Sequence, residues 1–444
     1  MRKYVAILFL SVLVSVLLFS CSGKDDRGSG GERPNIVLII SDDQGWPDFG
    51  FMGHEYIQTP NIDRLAEEGM TFSHGYSTAP LCRPSLASII TGLYPHRHGA
   101  LGNDPVFEAG DVPRYGPEWL MMRAKYNAPV LDAFEKLKTL PDILGDTGYV
   151  SLQTGKWWEG NPTTMGGFTR GMTHGDPEHG GRYGDEGKKI GRHGLQVIYD
   201  FIDSVRNEDK PFFIWYAPLL PHQPHTAPDS LIQKYLPLAP TKSVAAYWAT
   251  CEWFDITCGQ LIDYIEQKGL GKQTVFVFLA DNGWIQDPEH PKKYAPRSKG
   301  EPYDMGIRTP IIFRWKGKIT PGMNTGSAVS SIDIATTLLE LCNLPAAEGM
   351  QGIDVLDKQA LSNRDAIFAE TYAHDFTTVD SGIYYRIIVH LPWKLILPDT
   401  VNKPDLSPEL YHLVDDPFET NDLSGEYPDT VKVLTAKIRD WWRE

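Results

Sequence analysis

Short apolar segments that alternate with amphipathic segments are the feature that most restricts what this chain can fold into. The apolar segments have the length and continuity of strands buried on both faces, and they are Arg33–Ile40, Tyr149–Thr154, Pro211–Tyr216, Thr274–Ala280 and Pro310–Arg314. Helical patterns lie between them, at 131–145, 192–206, 243–268 and 331–341. This alternation predicts an α/β fold with a large, mostly parallel sheet flanked by helices.

The end of the chain has a different pattern. Residues 383–413 have the pattern of short strands, and 428–443 have that of an amphipathic helix. We therefore expect a main α/β domain over 33–349 and a smaller C-terminal α+β subdomain over 350–444. Two segments rich in Gly, Pro and His are predicted as long loops, of the kind that often cover functional sites: 100–128 and 158–191.

The charge of the chain excludes some classes of function. The formal net charge is −15, and an acidic balance argues against nucleic-acid binding, for which a basic excess is usual. An anionic substrate is still possible, because a local basic cluster can act within a cleft of low dielectric constant. With 12 Trp, 20 Tyr and 18 Phe, the chain is too aromatic to be mainly disordered.

The N-terminus has the pattern of a targeting segment. Arg2 and Lys3 precede an apolar run from Tyr4 to Phe19, which is short for a spanning helix. Residues 1–20 are therefore predicted to be a signal peptide.

The end of this run resembles a bacterial lipobox. Ser20 directly precedes Cys21, which predicts cleavage between them, lipidation of Cys21, and a flexible tether over 21–32. We expect a lipoprotein anchored in the outer membrane, facing the periplasm or the cell surface, that meets the membrane through its lipid anchor only. A plain signal peptide or an uncleaved anchor is the alternative.

The segment from Leu81 to Gly92 carries a strong chemical signal. Pro84 suits the first turn of a helix that runs to Thr91, which puts Cys82 at or just before the helix N-terminus. Because the helix dipole stabilises anions there, a nucleophile that attacks an anionic ester fits this position. The alternative is a buried structural cysteine before a helix.

Polar side chains follow two of the predicted strands. Asp42 and Asp43 come just after the first strand, and Asp281 and Asn282 follow the strand that ends at Ala280. Open α/β sheets bind ligands at such strand ends, and oxygen ligands suit hard cations such as Ca²⁺. The alternatives are a helix cap or turn for the first pair and a simple turn for the second.

The chain resembles the formylglycine-dependent sulfatases of the alkaline-phosphatase superfamily, in a bacterial lipoprotein form. The resemblance runs from about Arg33 to the C-terminus and rests on motifs in the family's order: Pro34-Asn35-Ile36-Val37, Asp42-Asp43-Gln44-Gly45, Cys82-Arg83-Pro84-Ser85 with Thr91-Gly92, Thr154-Gly155-Lys156-Trp157, Pro221-His222, Ala280-Asp281-Asn282-Gly283, Lys299-Gly300, Gly306-Ile307-Arg308-Thr309-Pro310, Trp393-Lys394-Leu395-Ile396 and Glu409-Leu410-Tyr411. It implies an alkaline-phosphatase-like fold and hydrolysis of sulfate esters. A sulfated carbohydrate is the expected substrate, because a lipoprotein at the surface or in the periplasm can meet glycans.

The resemblance also implies a role for each matching residue. Cys82 is expected to be oxidised to formylglycine by a maturase, and its hydrated aldehyde to attack sulfur. Lys156 and Lys299 match lysines that hold the sulfate oxygens, and His222 matches the acid near the leaving oxygen. The alternatives are solvated surface charges for the lysines and a turn histidine for His222. The expected Ca²⁺ ligands are Asp42, Asp43, Asp281 and Asn282.

Two positions differ from the family pattern. Leu86 stands where the family has an arginine four residues after the cysteine, and Trp158 stands where many members have a histidine. Arg83, Trp158 and His98 are predicted to border the cleft and to contact the substrate. Trp158 could stack on a sugar ring, although core packing is the commoner fate of tryptophan.

Three functions are compatible with these observations. The first is hydrolysis of sulfate esters on a sulfated glycan or a small sulfate ester, in the degradation of polysaccharides. The second is hydrolysis of phosphodiesters or phosphonate monoesters by an enzyme of the same superfamily. The third, which Leu86 and Trp158 motivate, is glycan binding without catalysis on a sulfatase scaffold.

Overall fold

The computed structural model describes residues 33–443 apart from 109, 115, 176–185 and 377. The strands are β1 Asn35–Ser41, β2 Met70–Phe72, β3 Gly75–Tyr76, β4 Asp104–Pro105, β5 Val150–Gly155, β6 Arg170–Gly171, β7 Phe212–Ala217, β8 Thr274–Ala280, β9 Ile311–Trp315, β10 Gly322–Asn324, β11 Val329–Ser330, β12 Ile367–Tyr372, β13 Asp375–Phe376, β14 Ile383–His390, β15 Trp393–Pro398 and β16 Glu409–His412. The helices are α1 Pro60–Glu68, α2 Cys82–Thr91, α3 Pro95–His98, α4 Pro117–Phe134, α5 Leu140–Gly145, α6 Pro162–Met165, α7 Gln196–Arg206, α8 Asp229–Tyr235, α9 Lys242–Gln267, α10 Asp304–Ile307, α11 Asp333–Leu341, α12 Lys358–Asn363, α13 Val379–Gly382 and α14 Pro428–Arg443. The predicted signal peptide, Cys21 and the tether lie outside the described residues.

The main sheet has eight strands in the order β10-β2-β9-β8-β1-β7-β5-β6. β9 runs antiparallel to both of its neighbours, and every other adjacent pair is parallel. The prediction of a large, mostly parallel sheet flanked by helices is therefore confirmed.

The apolar strands are buried because helices cover both faces of the sheet. In β1, Ile36, Leu38 and Ile40 join a core with residues of α2, α5 and α11. Val37 and Ile39 point the other way, into a core with residues of α1, α7 and α9. This explains why β1 is apolar throughout rather than alternating, since each successive side chain enters a different core.

A second, antiparallel sheet lies in the C-terminal part of the chain, with the strand order β12-β14-β15-β16. One of its faces packs on α14 through Ile388 and Leu395 against Ile438. The other face packs against Tyr76 of β3 and Ile307 of α10. Residues from Arg33 onward form one compact unit, and the boundary near residue 350 stays a prediction.

A buried ionic cluster joins β15 to α10. The ammonium group of Lys394 lies 2.8 Å from Asp304 Oδ1 and 2.7 Å from Glu419 Oε1, and all three side chains are buried. The backbone N–H of Asp304 also donates to Glu419. Charges this far from water persist only when they are paired. These contacts therefore fix the position of β15 relative to α10.

The predicted elements and the observed elements differ mainly around α4. The segment 100–128 was expected to be a loop, but α4 begins at Pro117 and continues to Phe134, with Pro129 inside it. The predicted helix over 131–145 is divided between the end of α4 and α5. The predicted C-terminal helix over 428–443 is confirmed as α14.

Among the described residues, no helix combines the length and the apolar character that are needed to cross a membrane.

Candidate active site

Four neighbouring strands bring the predicted site residues to one edge of the main sheet. β8, β1, β7 and β5 are adjacent and parallel, so their carboxyl ends lie together. Asp281 directly follows β8, Asp42 follows β1, and Lys156 follows β5. His222 lies in the loop after β7. Ligands of open α/β sheets bind at this edge.

Asp42, Asp43, Asp281 and Cys82 form a compact buried cluster in which one ligand atom of each lies within 4.8 Å of the others. The backbone N–H of Asp43 donates to Asp281 Oδ1 at 3.1 Å, and the Asn282 amide donates to Asp43 Oδ1 at 2.8 Å. Asp43 has φ 64°, a left-handed conformation that aspartate adopts more readily than most residues. The turn after β1 is thus tied to the turn after β8.

Unpaired oxygen atoms indicate where a cation fits. Asp42 Oδ2, Asp43 Oδ2 and Asn282 Oδ1 are buried and accept no hydrogen bond from the part of the chain that the structure describes. Buried polar atoms of this kind are costly and rare. Carboxylate and amide oxygens are the ligands that Ca²⁺ prefers. The donor set therefore fits the expected Ca²⁺.

Burial and nearby charges act in opposite directions on the three carboxyl groups. Burial raises the pKa of Asp42 to about 6 and that of Asp281 to about 6, although Lys156 lowers both. Burial also opposes ionisation of Asp43, but nearby positive charges, Lys299 first, outweigh it and hold the pKa of Asp43 below its usual range. The cluster therefore favours bound cations.

Two buried lysines contribute positive charge to the cluster. Lys156 Nζ lies 2.5 Å from Asp42 Oδ1, and Lys299 Nζ lies 2.5 Å from Asp43 Oδ1 and 3.2 Å from Cys82 Sγ. Burial disfavours both ammonium ions, but the carboxylates outweigh it and hold the pKa of each lysine above its usual range. Two fixed positive charges beside Cys82 can bind an anionic group there.

Cys82 is the first residue of α2 and is 1% exposed. Its sulfur lies 3.9 Å from one oxygen of Asp42 and 3.9 Å from one oxygen of Asp43. Burial raises the pKa of the thiol well above its usual value, although Lys156 and Lys299 lower it. Burial thus disfavours the thiolate form of an unmodified Cys82.

His222 lies next to the same carboxylates. Its Nε2 is 3.5 Å from Asp43 Oδ2, and its Nδ1 is 2.6 Å from the carbonyl oxygen of Gln223. Because a carbonyl can only accept, Nδ1 carries a proton and donates it, and Nε2 is the nitrogen that faces the cluster. Burial lowers the pKa of His222 to about 3, although Asp43 raises it.

Arg83, which is predicted to contact the substrate, makes its contacts inside the protein. Its side chain is fully buried, and its guanidinium group donates to both carboxylate oxygens of Glu159 at 2.6 and 2.8 Å. It also donates to Asn127 Oδ1 at 2.7 Å. A buried charge needs such partners, so Arg83 joins α2 to α4 and to the segment after Lys156.

His98 is likewise a packing residue. It is 1% exposed, its Nε2 lies 3.0 Å from Ser88 Oγ, and its Nδ1 accepts the N–H of Ala100. The ring therefore links α3 to α2. Both ring nitrogens of His98 are engaged inside the protein, and its contact with the substrate stays a prediction.

Trp158 lies beside one of the lysines of the site. It is 6% exposed and belongs to the core on the α2 side of the sheet. The ammonium group of Lys156 lies 5.1 Å from the centroid of its ring. The ring thus makes a cation–π contact with this lysine, and its stacking on a sugar stays a prediction.

Leu86 packs in the same core and is 5% exposed. The position of the family's arginine is thus occupied by an apolar side chain, which cannot contact an anion by hydrogen bonding. The positive charges that the structure places at Cys82 come from Lys156 and Lys299.

Sequence reasoning missed a pair behind the cluster, Asp48 and Tyr247. The hydroxyl of Tyr247 donates to Asp48 Oδ2 at 2.6 Å and lies 3.5 Å from the carbonyl oxygen of Asp43. The N–H of Gly45 donates to the same carboxylate at 3.0 Å. Asp48 stands close enough to the Asp42 motif to have been noticed, whereas nothing in the pattern of α9 distinguishes Tyr247.

Gln286, also missed, joins the segments that carry His222 and Lys299. Its Oε1 lies 2.7 Å from His225 Nε2, and its amide nitrogen donates to the carbonyl oxygen of Lys293 at 3.1 Å. A single glutamine in a loop has no sequence signature, so only the structure could identify it.

Asp48→Asn is expected to stabilise the protein more at high pH than at low pH. Burial raises the pKa of Asp48 from 3.8 to about 7, against hydrogen bonds from Tyr247 and Gly45. Because this pKa is higher in the folded state, the wild type loses stability as the pH rises from about 4 to about 7, and the variant does not. Between about pH 5 and about pH 8, the variant should gain about 3 kcal/mol in the free energy of unfolding relative to the wild type.

Urea unfolding across this pH range would measure that gain. Asp263→Asn is the matched control, since Asp263 is half-exposed beside Arg64 and its loss should give no comparable pH dependence. A difference between Asp48→Asn and the wild type that stays constant with pH would contradict the prediction.

Two family models match this chain. The sulfatase model matches residues 34–344, and a model described as "N-sulphoglucosamine sulphohydrolase, C-terminal" matches residues 298–442. N-acetylgalactosamine-6-sulfatase of Homo sapiens is 28% identical over 465 residues, which cover 92% of this chain and 85% of that protein.

Solved structures share the fold. Ps i-CgsB, in complex with k-i-k-neocarrahexaose, superposes with a TM-score of 0.72 and 24% identity over 92% of each chain. The phosphonate monoester hydrolase of Agrobacterium radiobacter superposes with a TM-score of 0.64 and 18% identity, over 92% of this chain and 95% of that one. The sulfatase model spans more than half of this chain, including the strands whose ends carry the buried cluster, and the chain thus belongs to the sulfatase family of sulfuric ester hydrolases.

Proposed function

We propose that this protein hydrolyses sulfate esters on a glycan, with formylglycine made from Cys82 as its nucleophile and with Ca²⁺ in the acidic cluster. One observation carries the proposal: Cys82 Sγ lies 3.2 Å from Lys299 Nζ and 3.9 Å from oxygens of both Asp42 and Asp43. An anionic ester bound at this point would meet the nucleophile, the cation and a fixed positive charge together. The proposed Ca²⁺ ligands are Asp42, Asp43, Asp281 and Asn282.

Two groups would supply chemistry that the unmodified side chains lack. Ca²⁺ would act as a Lewis acid on a sulfate oxygen. The hydrate of formylglycine at position 82 would provide a hydroxyl nucleophile for sulfur.

Lys156 and Lys299 are proposed to bind the sulfate oxygens. Their charges are fixed and buried, so they can stabilise negative charge that develops on the sulfate without reorganising. The ring of Trp158, 5.1 Å from Lys156 Nζ, adds a cation–π contact and shields one side of this ammonium group from water.

His222 is proposed to protonate the leaving oxygen. The hydrogen bond from Nδ1 to the carbonyl oxygen of Gln223 orients the ring, so that Nε2 faces the cluster. Nε2 takes up the proton that it donates when the negative charge of a bound ester favours the imidazolium form. Protonation matters most when the leaving group is a sugar alcohol, which is a poor leaving group as an alkoxide.

A sulfated glycan is the proposed substrate class. The human relative is named for N-acetylgalactosamine 6-sulfate, and the solved neighbour carries a neocarrahexaose. An outer-membrane lipoprotein anchored through Cys21 would meet external polysaccharides, and a formylglycine maturase is the partner that Cys82 requires.

Turnover and modification should be measured on one preparation from the native host. We expect sulfate release from N-acetylgalactosamine 6-sulfate or neocarrahexaose, and a Cys82 peptide with the mass decrease of thiol-to-aldehyde conversion. Faster hydrolysis of an aryl phosphonate monoester than of every sulfate would favour the phosphonate hydrolase instead. An unmodified Cys82 with glycan binding but no turnover would contradict the proposal and identify Leu86 as the first substitution to reverse.

Removal of Ca²⁺ is expected to lower both turnover and stability. Dialysis against EGTA would leave the carboxylates of Asp42, Asp43 and Asp281 against only two lysines, which should lower the free energy of unfolding by about 3 kcal/mol relative to protein at 100-fold the Kd of Ca²⁺. Added Ca²⁺ should restore both quantities better than Mg²⁺, which demands a stricter octahedral geometry. Unchanged turnover after complete removal, verified by elemental analysis, would contradict the proposed metal site.

A further inference from the structure

The loop that carries His222 has few backbone donors for its own carbonyl groups. From Pro218 to Pro228 it contains four prolines, which have no N–H to donate. The residues of this loop belong to neither a helix nor a strand. The rings of His222 and His225 contact the carbonyl oxygens of Gln223 and Pro221, and other carbonyl oxygens of the loop need donors from elsewhere in the protein.

Arg192 supplies those donors. Its Nη2 donates to the carbonyl oxygens of Leu219 and His222 at 2.7 and 2.8 Å. Its Nη1 donates to Thr226 Oγ1 at 2.7 Å and to the carbonyl oxygen of Pro224 at 3.3 Å. One guanidinium group thus holds four oxygens along the loop. The ring of Trp253, with its centroid 5.7 Å away, packs beside it.

The same loop accepts a hydrogen bond from Asp42, one of the proposed Ca²⁺ ligands. The N–H of Asp42 donates to the carbonyl oxygen of Leu220 at 3.0 Å, between two oxygens that Arg192 holds. The position of the His222 ring relative to the cluster therefore depends on the hydrogen bonds of this loop. Nothing in the sulfatase motifs includes Arg192, which lies in the Gly-rich segment before α7.

We propose that Arg192 is a positioning residue of the reaction: by binding the loop Leu219–Thr226 it holds the imidazole of His222 where its Nε2 can protonate the leaving oxygen. The inference rests on the proposed function, in which His222 is the acid. The planar guanidinium group suits this task, because its five N–H groups form a fixed fork, and charge-assisted hydrogen bonds are stronger than neutral ones. The ammonium group of a lysine cannot span the same four oxygens.

The test compares two esters that differ in their need for an acid. N-acetylgalactosamine 6-sulfate has a poor leaving group, whereas 4-nitrophenyl sulfate needs little protonation. In Arg192→Ala we expect kcat for the sugar ester to fall on the order of 10²-fold and kcat for the aryl ester to fall only a few-fold. KM should change little for either ester. Methylguanidine should restore part of the lost activity, and Arg192→Lys should be intermediate.

A double-mutant cycle with His222→Gln separates positioning from general damage. If Arg192 acts through His222, its replacement adds little to the loss already caused by His222→Gln on the sugar ester. Additive losses, or equal losses on both esters, would overturn the role of Arg192. Arg170→Ala is the matched control, since this half-exposed arginine bonds to Ser204 and should keep wild-type kcat on both esters.

The turnover of the wild type distinguishes a failure of the proposed function from a failure of the role of Arg192. A wild type that releases sulfate from neither ester would contradict the proposed function and the role of Arg192 together. Turnover by the wild type with no preferential loss on the sugar ester in Arg192→Ala would contradict the role of Arg192 alone.

Discussion

Cys82→Ala is expected to abolish sulfate release, with a loss of turnover of roughly 10⁴-fold or more. The alanine removes the side chain that is to become the nucleophile, while the lysines and carboxylates around it remain. Cys82 is buried at the start of α2, and alanine suits a helix, so the fold should persist. Sulfate release by the purified variant, measured with the substrate that the wild type hydrolyses, checks this result.

Cys258→Ala is the matched control for this experiment. Cys258 is also a fully buried cysteine, but it lies in α9 among the apolar residues of the opposite core. We expect wild-type turnover from this variant. If Cys82→Ala kept roughly a tenth or more of the wild-type turnover, the activation free energy would have risen by at most about 1.4 kcal/mol. Cys82 would then not be the nucleophile.

Lys394→Met is expected to lower the free energy of unfolding by about 3 to 5 kcal/mol. Methionine keeps much of the volume of the side chain but leaves Asp304 and Glu419 buried without their shared cation. Burial raises the pKa of Glu419 to about 7, although Lys394 lowers it. The variant should therefore lose more stability at about pH 8, where Glu419 must ionise, than at about pH 5. Urea unfolding at both pH values measures the loss.

Lys437→Met is the comparison at the surface. Lys437 pairs with Asp365, and both side chains are at least one-third exposed. Exposed ion pairs contribute about 0 to 1 kcal/mol, so this variant should be nearly as stable as the wild type. If Lys394→Met lowered the free energy of unfolding no more than Lys437→Met does, the buried cluster would not hold β15 to α10.

Much of the fold followed from local patterns. The segments that became β1, β7 and β8 were visible because strands buried on both faces must be apolar throughout. The first half of α4 was hidden, since Gly and Pro around it, and Pro129 within it, resemble a loop. Its apolar residues are spread around the helix and so give no clear helical period, and the contacts of its Asn127 with Arg83 become evident only in the folded chain.

The residues of the candidate site were predictable for a similar reason. Asp42, Lys156 and Asp281 each directly follow a strand, and parallel strands bring their carboxyl ends to one edge. The order of motifs along the chain therefore implied a meeting point in space. Which ammonium group contacts which carboxylate was not implied, because that depends on how the loops turn after each strand.

The predictions for Arg83, His98 and Trp158 rested on closeness in sequence to a motif, and the structure engages all three side chains inside the protein. A helix turns successive side chains in different directions, and Arg83 therefore points away from Cys82 toward Glu159. Arg192 is the opposite case, since it is remote from His222 along the chain and contacts its carbonyl oxygen.

The sequence by itself determined the sheet, the residues that gather at its edge, and the family, because these depend on local hydrophobic patterns and on motifs in a fixed order. Only the tertiary structure decided which charges are buried and which partner each of them takes. Those choices depend on side chains far apart in the chain, such as Lys394 with Asp304 or Arg192 with the loop at His222. A buried charge or carbonyl must find its partner wherever the fold brings one within hydrogen-bonding distance.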